Sequence, residues 1–250
     1  MSLSVPLLFS LAAMLLVSAC TVVPLSPPKT STLSAAEKAE RPDWRVGNRW
    51  RYRSLHPAQP ALRIDQVIRK EGDGYVIAYT HQPAARGSRV VLAMEPDSGS
   101  EDHLTHTLAL ERRTGNNTVA QYTPPFEWYR WPLEVGKRWT ADSTVKIIPP
   151  RYPLLGSLDV DRYRVTFTIE AYEEITVPAG RFNAFKIRAQ IFGVPPLGQF
   201  FHDDFLQWYA PVVKRYVRFE FPVAIDRGFA PPEISMRGWE LMQFEPAPLP

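Results

Sequence analysis

The sequence predicts an all-β fold: one curved antiparallel sheet, closed like a barrel or folded as a sandwich, behind a signal peptide and a short tether. Three observations carry this. Apolar and polar residues alternate with period two along most of the chain past Trp44. No long stretch keeps a helical period. The 25 Pro outnumber the 13 Gly, and many fall between apolar runs, where they end strands.

The first element is an export signal. From Leu3 to Ala19 the chain is apolar apart from serines and one proline, and no Lys, Arg, Asp or Glu precedes Cys20. That run is short for a membrane span, which needs about 20 apolar residues. It has the size and place of a signal-peptide h-region, with small residues before the cut. The end of the segment, Val17-Ser18-Ala19-Cys20, resembles the lipobox of bacterial lipoproteins. The resemblance implies diacylglyceryl transfer to the Cys20 thiol, cleavage before it, and acylation of the new amine. It makes the membrane, reached through lipid on Cys20, the first expected partner. In that family Asp after the cysteine favours retention at the inner membrane, so Thr21 implies the outer membrane, with the body facing the periplasm. Residues 1–19 are thus read as signal peptide and 20–42 as lipidated cysteine and tether, rich in Pro, Ser, Thr and Ala. Within the tether, Ser34–Glu40 has room for one or two helical turns. Residues 43–250 form a single β domain.

Composition bounds the body. Cys20 is the sole cysteine, so no disulfide and no cysteine metal site can form, and the fold rests on its apolar core. A net charge of +3 with a pI near 9.0 is mildly basic and does not call for nucleic acid.

The strands follow in order. Candidates are Arg49–Leu55, Leu62–Lys70, Gly74–His81, Arg89–Met94, His103–Arg112, Thr118–Thr123, Phe126–Leu133 and Arg138–Ile148, separated by turns such as Gly72-Asp73-Gly74. From Arg162 to Ala171 every odd position is apolar and every even one polar, so one face is buried and one wet. A turn at Val177-Pro178-Ala179-Gly180 returns the chain through Phe185, Ile187, Ala189 and Ile191. Val213–Phe221 and Gly238–Phe244 complete the set. A short repeat, Val46-Gly47-Asn48-Arg49-Trp50 and Val135-Gly136-Lys137-Arg138-Trp139, opens two of the strands. It suggests two similar sheet halves, or a shared device for starting a strand. These Val-Gly-x-x-Trp openings, the hairpin Val177-Pro178-Ala179-Gly180-Arg181-Phe182-Asn183-Ala184-Phe185-Lys186 and the later Trp208-Tyr209-Ala210-Pro211 resemble uncharacterised exported β-sheet proteins and lipoproteins of Gram-negative bacteria. The resemblance implies a curved antiparallel sheet and an envelope location. It implies no reaction.

Chemistry is sparse. The chain has no nucleophile elbow, P-loop, dinucleotide fingerprint or zinc-protease helix. His103 and His106 lie three apart, so on one strand they would face opposite ways and could not easily share a metal. His202-Asp203-Asp204 reads as a hydrogen-bonded loop. No cofactor, metal or catalytic residue is expected. Two surfaces stand out. Arg162, Arg164, Lys186, Arg188 and Arg218 hold polar positions of neighbouring strands and form a candidate face for an anionic lipid or another envelope component. Phe126, Trp128, Tyr129 and Trp131 are core aromatics or the mouth of a ligand site. The function expected is a non-enzymatic binding or envelope-assembly role. Alternatives are a carrier of lipid or apolar ligands in the concave face of the sheet, and a hydrolase with an unrecognised site. The lipobox makes a direct prediction. Cys20→Ala leaves the chain uncut or soluble, and membrane fractionation with a mass measurement of the N-terminus reads this. A variant that stays in the outer membrane with unchanged mass contradicts it.

Overall fold

A computed structural model of the chain describes residues 37–56, 60–82, 96, 98–115, 117–148, 160–194, 204–227 and 230–248. Among the described residues fourteen strands form: β1 (Lys38–Ala39), β2 (Arg49–Ser54), β3 (Leu62–Glu71), β4 (Gly74–Gln82), β5 (Glu101–Leu104), β6 (Leu110–Gly115), β7 (Thr118–Phe126), β8 (Leu133–Glu134), β9 (Arg138–Ile148), β10 (Val160–Val177), β11 (Gly180–Val194), β12 (Asp204–Ala210), β13 (Arg215–Arg227) and β14 (Ala230–Glu245). Twelve of them close into an antiparallel barrel, and β1 pairs separately with β8. The barrel is two six-strand meanders in chain order, β2–β7 and β9–β14, joined where β7 meets β9 and β14 meets β2.

The Val-Gly-x-x-Trp repeat opens each meander and builds the same device twice. Gly47 and Gly136 take φ of 100° and 86°, a region that glycine enters without steric penalty. The Gly47 amide donates to Val67 O and Val67 N donates back to Asn48 O; Gly136 and Lys137 make the same two bonds with Ile169. A β-bulge then follows each partner, between Val67 and Arg69 and between Ile169 and Ala171. The second bulge ends the alternation expected through Ala171. Beyond it Tyr172 turns inward against Phe185, with ring centroids 4.6 Å apart.

Twelve strands enclose a lumen wider than the eight-strand barrel that side chains just fill. Aromatic rings therefore dominate the interior on one side. Trp139 stacks on Phe167 at 4.9 Å, and Phe126, Trp128 and Phe205 pack edge-on or tilted around them. The outer wall is charged, with Arg53 on Glu240, Arg69 on Glu101 and Arg162 on Asp142. A transmembrane barrel shows the reverse, an apolar belt outside.

Several boundaries differ from the sequence reading. Lys38–Ala39 are strand, paired with Leu133–Glu134, and neither tether nor helix; backbone pairing with β8 outweighs a weak helical tendency. His103–Arg112 is two strands, because the turn at 105–109, with Leu108 at φ 65°, reverses the chain. Residues 127–132 connect β7 to β8 without being strand. β12 lies in an aromatic block that carried no strand assignment. Cys20, the signal peptide and Arg89–Met94 lie outside the described residues.

The inward register gives a stability prediction. Phe167→Ala removes a ring that is fully buried and costs about 3–5 kcal/mol. Thr168→Ala, on the outward side, costs under about 1 kcal/mol. Denaturant unfolding of the two variants measures the contrast, and equal losses would mean the faces are assigned the wrong way round.

Candidate functional site

The other side of the lumen is ionic. On β3 the inward register that carries Val67 also carries Asp65 and Arg63, while Leu62 and Ile64 of the same strand are half-buried on the outer side. Asp65 is completely buried. Arg63 reaches it through Nε at 2.7 Å from Oδ1 and Nη2 at 3.1 Å from Oδ2. Arg215 donates to the same Oδ2 from Nε at 3.1 Å and Nη2 at 2.7 Å. It comes from the start of β13, three strands round the ring, where the one-turn helix Pro211–Val213 and Lys214 at φ 61° redirect the chain. Two guanidiniums thus share one carboxylate. Aromatic faces flank both: Tyr79 and Trp239 lie 5.0 and 5.8 Å from the Arg63 carbon, and Trp50, Tyr216 and Trp44 lie 5.2–5.6 Å from that of Arg215.

A second pair sits beside the triad. Arg113 donates to Asp102 from Nε at 2.6 Å and Nη2 at 2.9 Å, and the Tyr79 hydroxyl donates to Asp102 Oδ2 at 2.8 Å. Burial pushes the Asp65 carboxyl up, but Arg63 and Arg215 more than offset this and hold it below the usual carboxylate value. Burial, with Asp102 close by, pushes the Tyr79 hydroxyl well up, so it stays a proton donor.

Inside the barrel lies a cavity of about 80 Å³, bordered by the polar side chains Arg63, Tyr79, Asp102, Arg113 and Arg215 and by Trp128, Tyr129, Gln207 and Phe219. Gln207 is 3% exposed. Its Oε1 accepts from the Tyr129 hydroxyl at 3.1 Å, and its Nε2 has no hydrogen-bond partner. Buried donors without partners are rare in folded proteins.

The sequence candidates fall at three places. Of the aromatic group, Trp128 and Tyr129 border the cavity. Phe126 packs behind Trp128, and Trp131 packs on Tyr129 and Tyr209 while its indole donates to Thr107 O at 3.2 Å. The five basic residues lie on the outer wall of β10, β11 and β13, each with an acidic partner. Arg162 and Arg164 share Asp142, Lys186 and Arg188 reach Glu170, Arg188 also meets Asp204, and Arg218 lies on Glu220. The two guanidiniums on it lower the Asp142 carboxyl to about 2. His103 faces outward to Glu71 and Arg112, while His106 sits exposed in the 105–109 turn. Cys20, His202 and Asp203 lie outside the described residues. Sequence reasoning missed Arg63, Asp65, Asp102, Arg113, Gln207 and Arg215. One signal was available: in Arg63-Ile64-Asp65-Gln66-Val67 the charges are in phase with the core valine.

No protein-family model matches the chain, and no curated protein matches it. Solved structures with a similar fold include the hypothetical lipoprotein YmcC from Escherichia coli, at 12% identity, covering 81% of this chain and 86% of that one, with a TM-score of 0.41. A candidate exported protein with a YmcC-like fold from Bacteroides fragilis matches at 11% identity over 83% and 99%, TM-score 0.49. A candidate lipoprotein from Parabacteroides distasonis matches at 11% over 83% and 99%, TM-score 0.41. These are the kind of exported β-sheet protein that the sequence resembles.

The triad predicts an acid-sensitive barrel. Because the folded Asp65 carboxyl is depressed, its contribution is present above the ordinary value of about 3.9 and is lost as pH falls through the folded one. Asp65→Asn leaves two buried guanidiniums without their anion and costs about 3–5 kcal/mol near neutral pH. The gap between parent and variant narrows below about pH 4. Unfolding curves from pH 2 to 7 test both points, and a gap independent of pH contradicts the assignment.

Proposed function

We propose that the chain is a lipid-anchored lipoprotein of the outer membrane, that its barrel faces the periplasm, and that it works by binding a ligand at the lumen cavity. The anchor rests on the apolar run from Leu3, on Cys20 and on Thr21. The charged outer wall fits a barrel held beside a bilayer and in water.

The observation that carries the binding role is the inequality of the two meanders. Register equates them: Trp50 pairs with Asp65 as Trp139 pairs with Phe167, and Tyr52 pairs with Arg63 as Ala141 pairs with Val165. The same scaffold position therefore holds an ionised Asp65 in one half and an apolar Phe167 in the other. Buried ion pairs are commonly no more stabilising than apolar side chains of similar volume. The fold has an apolar solution at this position and does not use it beside the cavity, which supports a role for the charges outside stability.

Two other roles fit less well. A carrier of lipid or apolar ligands needs about 300 Å³ or more of apolar space, and the lumen cavity has about 80 Å³ with four charged side chains, Arg63, Asp102, Arg113 and Arg215, on its border. A hydrolase needs a carboxylate or imidazole free to take a proton. Asp65 and Asp102 are both held by arginine forks. Native mass spectrometry of the protein, extracted from membranes in mild detergent, is expected to show a non-covalent adduct. A spectrum free of adduct, together with a melting temperature that no fraction of an envelope extract shifts, overturns the binding reading.

A further inference from the structure

We infer that the lumen cavity takes a small oxyanion, a carboxylate or phosphate group, between the Arg63–Asp65–Arg215 triad and the Gln207 amide; this rests on the binding reading above and names its ligand class.

Charge is the first argument. Two guanidiniums meet one carboxylate, so the triad carries one unbalanced positive charge inside the barrel. Among the described residues, the neighbouring Asp102 lies on Arg113 and is not a second anion for the triad. The aromatic faces around Arg63 and Arg215 offset a buried charge only in part, whereas an anion offsets it directly.

The second argument is the sense of the unused groups. Asp65 takes Nε and Nη2 of both Arg63 and Arg215, which leaves Nη1 of each over, and both residues border the cavity. Also on the border of the cavity, Tyr129 holds the carbonyl end of Gln207, so the end left over is the NH₂ group. Tyr79 and Tyr129 have already spent their hydroxyl hydrogens, on Asp102 and on Gln207. What remains of Arg63, Arg215 and Gln207 is N–H donors, and a ligand that satisfies them is rich in acceptors. Guanidinium pairs with carboxylate or phosphate through short charge-assisted bonds.

Size is the third. A cavity of about 80 Å³ is the liquid share of two to three waters, at about 30 Å³ each. That is room for one anionic group.

The test uses full-length protein in non-ionic detergent, at fixed ionic strength set with sodium chloride. The probes are sodium acetate, sodium phosphate and dihexanoyl phosphatidic acid, the last to separate a lipid headgroup from a free anion. Trp44 and Trp128 border the cavity, so intrinsic fluorescence reports occupancy. A saturable response to acetate or phosphate is expected. It weakens about fivefold or more in Gln207→Leu, the loss of one hydrogen bond, and disappears in Gln207→Glu, whose carboxylate competes for the site. Circular dichroism checks that each variant is folded, and either one alone decides. A response to phosphatidic acid as well assigns the group to a headgroup, and a response to the free anions alone assigns it to a solute; both support the inference. No saturable response in the parent, or equal affinity in parent and variants, overturns it. If the anions fail while native mass spectrometry shows a neutral adduct, the oxyanion is wrong and the binding reading survives. If neither is seen, both fail.

Discussion

A β-sheet that closes on itself has no edge, and that constraint orders everything else in this molecule. Each of the twelve ring strands pairs with a neighbour on both sides over part of its length, so the ring has no edge strand. Closure also creates an interior that only side chains can fill. Large rings answer most of that need, among them the buried Trp50, Tyr52, Phe167, Phe185, Phe205 and Tyr209. Each aromatic buries a large area and packs edge-on or offset against its neighbours. The bulge after Ile169 shifts the pleat by one residue, so that Tyr172 points inward.

The ionic side of the lumen is bound to the same constraint. Charges inside a closed barrel have no water to turn to, so they must satisfy one another. Asp65 does this with two arginines from opposite directions, one on its own strand and one delivered by the Pro211–Lys214 turn. The triad ties β3 to β13 across the intervening β14 and β2, and the Trp44 indole, bonded to Lys214 O at 2.9 Å, closes the same end. Packing and charge thereby hold one another in place: the rings fix the guanidiniums, and the guanidiniums fix the turn.

Most of the wall was legible in the sequence, and most of the lumen was not. The alternation from Arg162 to Ile169 and its return through Ile191 place a strand pair, because period two reports which side is wet. The pattern fails where tertiary contacts decide: at the bulge after Ile169, at the Leu108 turn, and in the aromatic run of β12, where Trp208 and Tyr209 are both buried and no alternation shows. The site failed for a related reason. In β3, Leu62 and Ile64 mark the apolar side, yet the barrel turns Arg63 and Asp65 inward. Hydrophobicity alone assigns that strand backwards, and only the phase of Val67 corrects it. The basic residues of the outer wall were visible as a row, but Asp142, Glu170, Glu220 and their pairing depend on which strands become neighbours.

The two meanders raise a question of symmetry. A closed barrel made by two identical six-strand chains would be related by a twofold axis, and such an axis repeats every side chain. A charge facing the lumen from one wall would meet its own copy on the other. Asp65 in one half and Phe167 at the equivalent place in the other break that relation, and a single covalent chain is what permits it. Joined in one polypeptide, the two halves can carry unlike side chains at equivalent places, so the lumen acquires a direction across it.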